Sequence, residues 1–193
     1  PTGGAATQGK PDSVDLGPMR IELGAVEGGE WRLDAVGGGQ LQITNLDAPD
    51  DLLWRAITPR SPHARYRLSV TVRVEALKGA DAEDLVTGAG LYFDGTDAPH
   101  MFRLFLAGPG SVTVIGRYDG DTLSFPTQMS SDSGTAGAPV RLTVEVDGQE
   151  TRFLADGAEL ATMTSDARRG PRIGIAATGA GRFVLSDFRY EPL

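Results

Sequence analysis

The chain has 193 residues, which suits one sizeable domain, and its 26 glycines and 12 prolines are typical of many short strands joined by turns. Its formal net charge is −8 and its arginines are scattered, which argues against a nucleic-acid surface of clustered cations. The lack of cysteine excludes disulfides, thiolate catalysis and cysteine-ligated zinc, and no apolar run approaches the roughly 18 residues of a membrane span.

The start of the chain differs in composition from the rest. Residues 1–13 are mostly small and polar, as in a flexible linker, so we expect a single domain over residues 14–193. Since the sequence begins with Pro rather than Met, it suits a trimmed chain or a domain of a larger protein. We therefore expect a secreted, periplasmic or cell-envelope location, in a bacterium because arginine far outnumbers lysine.

Strands in the first half are predicted from alternating apolar and polar residues, since successive side chains of a strand point to opposite faces. In residues 66–75, every even-numbered position from 68 to 74 is Leu or Val, and the odd-numbered positions are polar. The segment 77–85 is charged and contains glycine, so it predicts a connection with room for one helical turn. Shorter strands are expected at residues 19–23, 31–36, 41–44 and 52–55.

The second half is organised around residues 140–193, where turn dipeptides interrupt the alternation. Asp147-Gly148 and Asp156-Gly157 each offer the positive-φ pair of a tight hairpin and predict an antiparallel meander. Residues 122–135 are rich in Ser, Thr and Gly and predict a long surface loop. Further strands are expected at residues 88–94, 101–106 and 112–118. No stretch has a sustained helical period, so the predicted fold is all-β, a two-sheet antiparallel jelly-roll sandwich.

Four stretches of the second half together carry a family resemblance. They are GAGLYFDG (88–95), FRLFLAGPGSVTVIGRYDG (102–120), VRLTVEVDGQETRFLADGAEL (140–160) and GPRIGIAATGAGRFVLSDFRY (170–190). Their order resembles the concanavalin A-like lectin/glucanase superfamily and, within it, bacterial 3-keto-disaccharide hydrolase-type domains. The resemblance covers about the last 105 residues. It implies a two-sheet jelly roll with one concave face, which often faces carbohydrate in secreted proteins, and it carries over no catalytic residues.

The segment from Glu145 through Asp147 to Glu150 matches the E-x-D-x-x-E pattern of laminarinase-type glucanases in that superfamily. Retaining hydrolysis of a glycosidic bond needs two carboxylates about 5–5.5 Å apart across the sugar. Here Asp147-Gly148 is also a hairpin signal, which would turn Glu150 onto the partner strand. We therefore expect a hairpin and assign no catalytic residue.

Aspartates in the turns are the candidate metal ligands. Calcium prefers several hard oxygen ligands, and sandwich proteins often bind it in acidic loops. None of these aspartates has EF-hand spacing, and Asp in a turn commonly serves the backbone, so a structural calcium is one expectation and a solvated turn the other. No other cofactor is expected. The candidates are Asp94, Asp97, Asp119 and Asp121.

A sugar-facing surface is predicted on the strands of the second half. Leu91 and Phe93 on one strand, and Leu104 and Leu106 on the next, are expected to face the core, which turns their alternates outward. A sugar stacks its C–H faces on aromatic rings, and its hydroxyls pair with planar donors such as guanidinium. Alternatively, these side chains only cover the second face of a sheet. The candidate ligand-binding residues are Tyr92, Arg103, Phe105, Arg117, Trp54 and Tyr118.

Other chemistry-bearing residues give weaker signals. His63 and His100 lie in loops near prolines, where histidines are usually exposed. No serine lies in a G-x-S-x-G elbow, so nothing supports a Ser-His-Asp hydrolase. Arg168, Arg169 and Arg172 form a basic patch that we expect in a solvated turn.

Three functions remain open from the sequence. The first is a non-catalytic binding or accessory module with carbohydrate as its ligand class. The second is a glycoside-cleaving enzyme, as the hydrolase-type resemblance implies, which would need a pair of convergent carboxylates in a cleft. The third is a structural or protein-interaction domain of a larger envelope protein, which would present a flat or loop-covered face.

Overall fold

The computed structural model describes residues 12–27, 30–46, 51–76, 86–98, 100–110, 112–130, 137–165 and 169–193. Across these ranges the chain forms strands and turns and contains no helix. Accordingly, the described part of the chain offers no helix of the length and hydropathy that crossing a membrane requires. The prediction of an all-β fold is confirmed for these residues.

Sixteen strands occur in the described residues, and their bounds in chain order are as follows. They are β1 (Ser13–Leu16), β2 (Met19–Glu22), β3 (Gly24–Ala25), β4 (Trp31–Ala35), β5 (Leu41–Asn45), β6 (Leu52–Ile57), β7 (Arg65–Ala76), β8 (Gly88–Gly95), β9 (Met101–Ala107), β10 (Val112–Asp119), β11 (Leu123–Ser130), β12 (Val140–Asp147), β13 (Glu150–Ala155), β14 (Ala158–Thr164), β15 (Arg172–Thr178) and β16 (Gly181–Pro192).

The strands form two large antiparallel sheets and one small hairpin sheet. The six-stranded sheet has the order β11-β10-β9-β8-β15-β6, and the eight-stranded sheet has the order β14-β13-β12-β7-β16-β5-β4-β3. β1 and β2 form the hairpin sheet. Strands far apart in the chain lie side by side, as β8 does with β15 and β7 with β16. This arrangement is a jelly-roll sandwich, as the sequence predicts.

The main hydrophobic core fills the space between the two large sheets. Leu68, Val70 and Val72 of β7 have no exposed surface, as the alternation in this strand predicts. Leu91 and Phe93 of β8 pack into the same core from the six-stranded sheet. A second apolar cluster lies on the outer face of that sheet, so β8, β9 and β15 are buried on both faces along most of their length.

The two Asp-Gly hairpins form, but with different loops. Between β12 and β13, Asp147 pairs with Glu150, so the loop residues are Gly148 and Gln149. Only Gly148 has a positive φ there, at 58°, so the expected positive-φ pair at 147–148 does not form, and the loop instead has glycine with a positive φ at its first position, as in a II′ turn. Between β13 and β14, Asp156 and Gly157 both have positive φ, as a two-residue loop of the I′ kind requires.

The expected loop over residues 122–135 is wrong in its first part, because Leu123–Ser130 is β11, an edge strand paired with β10. Its Leu123 and Phe125 pack on the outer apolar cluster, and this burial stabilises the pairing of an otherwise polar segment with β10. An edge strand also tolerates Pro126 because one side needs no donor. Residues 131–136 lie outside the described residues, as do the predicted connection 77–85 and residues 1–11 of the expected linker.

Candidate functional site

Tyr92 and Phe105 lie on opposite faces of the six-stranded sheet. Phe105 pairs with Leu91 and belongs to the main core, whereas Tyr92 pairs with Leu104 on the outer face. The expectation that Leu104 and Leu106 face the main core and Phe105 faces outward is therefore wrong. Since β9 carries large apolar residues on both faces, its alternation did not identify the inner one.

An aromatic cluster occupies the outer face, and we define it as Trp54, Tyr92, His100, Phe102 and Tyr118. The ring of Phe102 is central: it stacks on Tyr118 with centroids 4.8 Å apart and lies 4.6 Å from Tyr92. Trp54 lies 5.3 Å from Phe102 and meets His100 edge-on at 5.4 Å. Trp54, His100 and Tyr118 are half-buried, while Tyr92 and Phe102 are buried beneath them. The cluster thus presents partly exposed rings on a packed base.

Two buried polar atoms in the aromatic cluster have no hydrogen-bond partner among the described residues. They are the hydroxyl Oη of Tyr92 and the ring Nε2 of His100. Burial raises the pKa of Tyr92, so its hydroxyl keeps its proton and can both donate and accept. The ion pair between Arg172 and Asp97, with N···O 3.2 Å, borders Tyr92, and both charges act on its hydroxyl. The cluster therefore combines aromatic faces with hydrogen-bonding groups.

Arg103 lies apart from the aromatic cluster, at one end of the space between the sheets. We define an end cluster as Tyr66, Asp94, Arg103 and Arg169. Asp94 is 4% exposed, and its Oδ2 lies 3.7 Å from Nε of Arg103 and 3.6 Å from Nη1 of Arg169. The Tyr66 hydroxyl donates to Asp94 Oδ1 at 3.3 Å. Arg103 also donates to the hydroxyl of Ser165.

The end cluster shifts the proton affinities of its members. Burial raises the pKa of Asp94, although Arg169 and Arg103 act in the opposite direction. Burial, together with the nearby Asp94, raises the pKa of Tyr66 well above its ordinary value, so Tyr66 is neutral. Burial lowers the pKa of Arg103, and Asp94 opposes that effect. Groups with pKa values perturbed by burial and by specific charges are enriched at functional sites.

Arg117, the remaining arginine of the predicted ligand set, is exposed. It pairs with Arg103 across β9 and β10, and its guanidinium donates to Asp119 at 2.9 Å. Of the six predicted ligand residues, Trp54, Tyr92 and Tyr118 therefore meet in the aromatic cluster. Arg103 belongs to the end cluster, Arg117 lies at the surface beside it, and Phe105 is in the core.

The four predicted calcium ligands do not converge on one point. Asp94 faces two arginines, Asp97 pairs with Arg172, Asp119 with Arg117, and Asp121 is exposed. Within the described ranges, no group of three or more His, Cys, Asp or Glu side chains is arranged to hold a metal ion. Calcium binding stays a prediction.

The E-x-D-x-x-E segment forms the β12–β13 hairpin, as expected from its Asp-Gly turn. Asp147 and Glu150 face each other across the turn. The carboxylate of Glu145 lies between two guanidiniums, with Arg67 Nη2 at 2.6 Å and Arg152 Nη1 at 2.9 Å. Both arginines belong to the eight-stranded sheet, so this carboxylate serves an ion-pair network there.

Sequence reasoning missed four residues of the two clusters. His100 is half-buried against Trp54, and His63 is half-buried against Tyr190, so the expectation that both histidines are simply exposed is wrong. Arg169 is 18% exposed and faces Asp94, which corrects the expected solvated turn. For Tyr66 and Phe102, the sequence pattern predicted a position in a strand and nothing about a functional site.

No protein-family model matches the chain, and no curated protein sequence matches it. Several solved structures share its fold. The carbohydrate binding module CBM66 from Bacillus subtilis is 12% identical with a TM-score of 0.61, over 87% of this chain and 99% of that chain. The GH43 protein BlXynB from Bacillus licheniformis is 14% identical with a TM-score of 0.56, over 85% of this chain and 35% of that chain.

A third structure of similar fold is the catalytic domain of an endo-1,3-beta-glucanase (laminarinase) from Thermotoga petrophila. It is 11% identical with a TM-score of 0.54, over 81% of this chain and 79% of that chain. At these identities the likeness shows a shared jelly-roll fold, and it assigns no residue a role.

Proposed function

We propose that this protein is a non-catalytic carbohydrate-binding module that acts outside the cytoplasm and holds its ligand at the aromatic cluster. One observation carries the proposal: in the aromatic cluster, where the rings of Trp54, His100 and Tyr118 are half-buried, two buried polar atoms, Tyr92 Oη and His100 Nε2, have no hydrogen-bond partner among the described residues. Buried polar groups are nearly always hydrogen-bonded, so this pair marks a place where a ligand supplies the partner.

A sugar carries groups that match both the rings and the two buried polar atoms of the aromatic cluster. Its C–H faces are apolar and flat enough to stack on the exposed part of Trp54 or Tyr118, as aromatic faces do with one another. Its hydroxyls both donate and accept, so they can pair with Tyr92 Oη, and also with His100 Nε2 whichever ring nitrogen carries the proton. The Arg172–Asp97 ion pair beside Tyr92 adds charged partners for further hydroxyls.

The fold neighbours support the carbohydrate class without deciding between binding and catalysis. One is named a carbohydrate binding module, and another is named a glucanase catalytic domain. Binding is favoured because glycoside hydrolysis uses a pair of carboxylates, whereas the carboxylate that borders Tyr92, Asp97, is ion-paired with Arg172. The sequence resemblance to 3-keto-disaccharide hydrolase-type domains makes disaccharides suitable first ligands to test.

The test is a glycan array with the purified protein, followed by titration of any glycan that binds. We expect Trp54→Ala to weaken binding about tenfold or more, because a partly exposed tryptophan at a binding surface commonly carries a large share of the binding free energy. Tyr190→Ala is the matched control, since Tyr190 is a half-buried aromatic residue that packs against His63. Equal binding by the wild type and Trp54→Ala, or binding of no glycan, would contradict the proposal.

A further inference from the structure

The end cluster is a second set of buried polar groups that the aromatic cluster does not explain. Tyr66 belongs to the eight-stranded sheet, Asp94 and Arg103 belong to the six-stranded sheet, and Arg169 precedes β15. Asp94 turns its carboxylate between the sheets through a left-handed backbone conformation, with φ of 55°. Residues of three segments therefore converge on one buried carboxylate.

Two atoms of this cluster lack hydrogen bonds among the described residues, Oδ2 of Asp94 and Nη1 of Arg169. They lie 3.6 Å apart, which is too long for a direct hydrogen bond. Oδ2 needs a donor and Nη1 needs an acceptor. A hydroxyl group placed between them supplies both, because its proton is donated and its oxygen accepts.

The charges of the end cluster are unequal. Among the described residues, Arg103 and Arg169 share the single carboxylate of Asp94, and Tyr66 is neutral, so one guanidinium has no carboxylate of its own there. Arg117 nearby is already paired with Asp119. The positive excess is local, because the whole chain has a formal net charge of −8. Since a buried charge is stable only when it is paired, this excess favours a ligand that carries a negative group.

The arginines are the most exposed members of the end cluster. The side chains of Arg103 and Arg169 are 13% and 18% exposed, whereas Asp94 is 4% exposed. The guanidinium side chains are therefore the more exposed groups of the cluster, and the carboxylate of Asp94 is the most buried. An anionic group of a ligand would be placed at the more exposed guanidiniums, and a hydroxyl at the more buried carboxylate.

We propose that the end cluster binds a sugar that bears a carboxylate, a uronic acid, with one sugar hydroxyl between Asp94 Oδ2 and Arg169 Nη1. The sugar carboxylate then balances the excess guanidinium charge. This inference rests on the proposed function in one respect, namely that the ligand is a carbohydrate. It uses none of the aromatic-cluster residues, and Asp94 faces the space between the sheets while Tyr92 faces the outer side.

The probe is D-glucuronate, titrated into the protein by calorimetry beside D-glucose and acetate at one ionic strength. We expect glucuronate to bind more tightly than glucose, which lacks the charge, and than acetate, which lacks the hydroxyls. Arg169→Gln should weaken glucuronate binding about tenfold, since it removes a charge-assisted hydrogen bond. Arg182→Gln should leave glucuronate binding unchanged. It removes an exposed arginine that is paired with Glu75, and both residues lie in the eight-stranded sheet outside the end cluster.

Thermal melts of each variant show whether the fold is kept. If Arg169→Gln does not fold, Arg169→Lys keeps the charge and should give a smaller loss, because lysine lacks the planar donor pair. Glucuronate affinity equal to that of acetate or glucose, or unchanged in the folded Arg169 variant, would overturn the inference. Glucuronate binding that survives Trp54→Ala supports it independently of the aromatic cluster. Loss of glycan-array binding alone contradicts only the proposed function.

Discussion

Asp94 is the residue at which burial, charge and backbone conformation act together. Its φ of 55° lies in the left-handed region, which Asp tolerates better than most side chains because it is short and polar. The conformation ends the alternation of β8 and moves the carboxylate to the side of Tyr66, where it is 4% exposed. A carboxylate in this environment couples its protonation to the stability of the fold.

The protonation of Asp94 predicts a specific pH dependence. Since burial raises the pKa of Asp94 in the folded protein, the folded state binds more protons than the unfolded state from about pH 3.9 upward. The Asp94 contribution to the free energy of unfolding therefore falls as pH rises through this window up to the folded-state pKa. Tyr66, Arg103 and Arg169 face the carboxylate, and burial, which raises the pKa of Tyr66, keeps its phenol protonated throughout this window.

The measurement is urea unfolding of the wild type and Asp94→Asn from about pH 4, close to the pKa of an aspartate in the unfolded chain, to about pH 7. We expect the free energy of unfolding of the wild type to decline with rising pH relative to that of the variant. Asp97→Asn is the control, because the side chain of Asp97 is 85% exposed. Parallel pH profiles for the wild type and Asp94→Asn would refute the buried-carboxylate account.

At the scale of elements, β8, β9 and β15 of the six-stranded sheet are distinctive because both of their faces are covered along most of their length. β9 places Leu104 on the outer cluster and Phe105 in the main core, so the strand reads as a nearly continuous apolar run. β15 is equally crowded, and its register shifts against β8 between Arg172 and Gly174. Strands in such a position have little space for added atoms.

Gly174 tests this crowding. A Cβ at this position would lie 1.9 Å from the carbonyl oxygen of Arg55 and 2.8 Å from Cα of Ala56, both backbone atoms of β6. We expect Gly174→Ala to lower the free energy of unfolding by about 1–3 kcal/mol or more, because backbone must shift to admit the methyl group. Gly108→Ala is the control, since its nearest atom would be 3.2 Å away. Equal stability of the two variants in urea unfolding would contradict the prediction.

At the scale of the whole molecule, the two sheets differ in what their outer faces present. The eight-stranded sheet carries arginine–carboxylate pairs such as Arg67 with Glu145 and Arg182 with Glu75. The six-stranded sheet carries the aromatic cluster on its outer face. A ligand with apolar faces and hydroxyls is therefore better matched to the six-stranded sheet.

The predicted calcium is also tested on the whole molecule, by thermal melts with added calcium or chelator. We expect the same Tm in both, because Asp94, Asp97 and Asp119 each face an arginine, whose charge opposes a nearby cation. Magnesium at the same concentration controls for ionic strength. A Tm that rises with calcium alone would instead support the calcium site proposed from the sequence.

The sequence by itself determined the fold class, because period-two alternation and Asp-Gly turns act locally. The strand from Arg65–Ala76 and both hairpins follow from residues that are neighbours in the chain. It also identified Trp54, Tyr92 and Tyr118 as members of one surface. Only the tertiary structure decided that Phe105 is in the core and that Arg169 meets Asp94. Those facts depend on which face of a strand meets the other sheet and on contacts between residues 75 positions apart, and neither is encoded in local alternation.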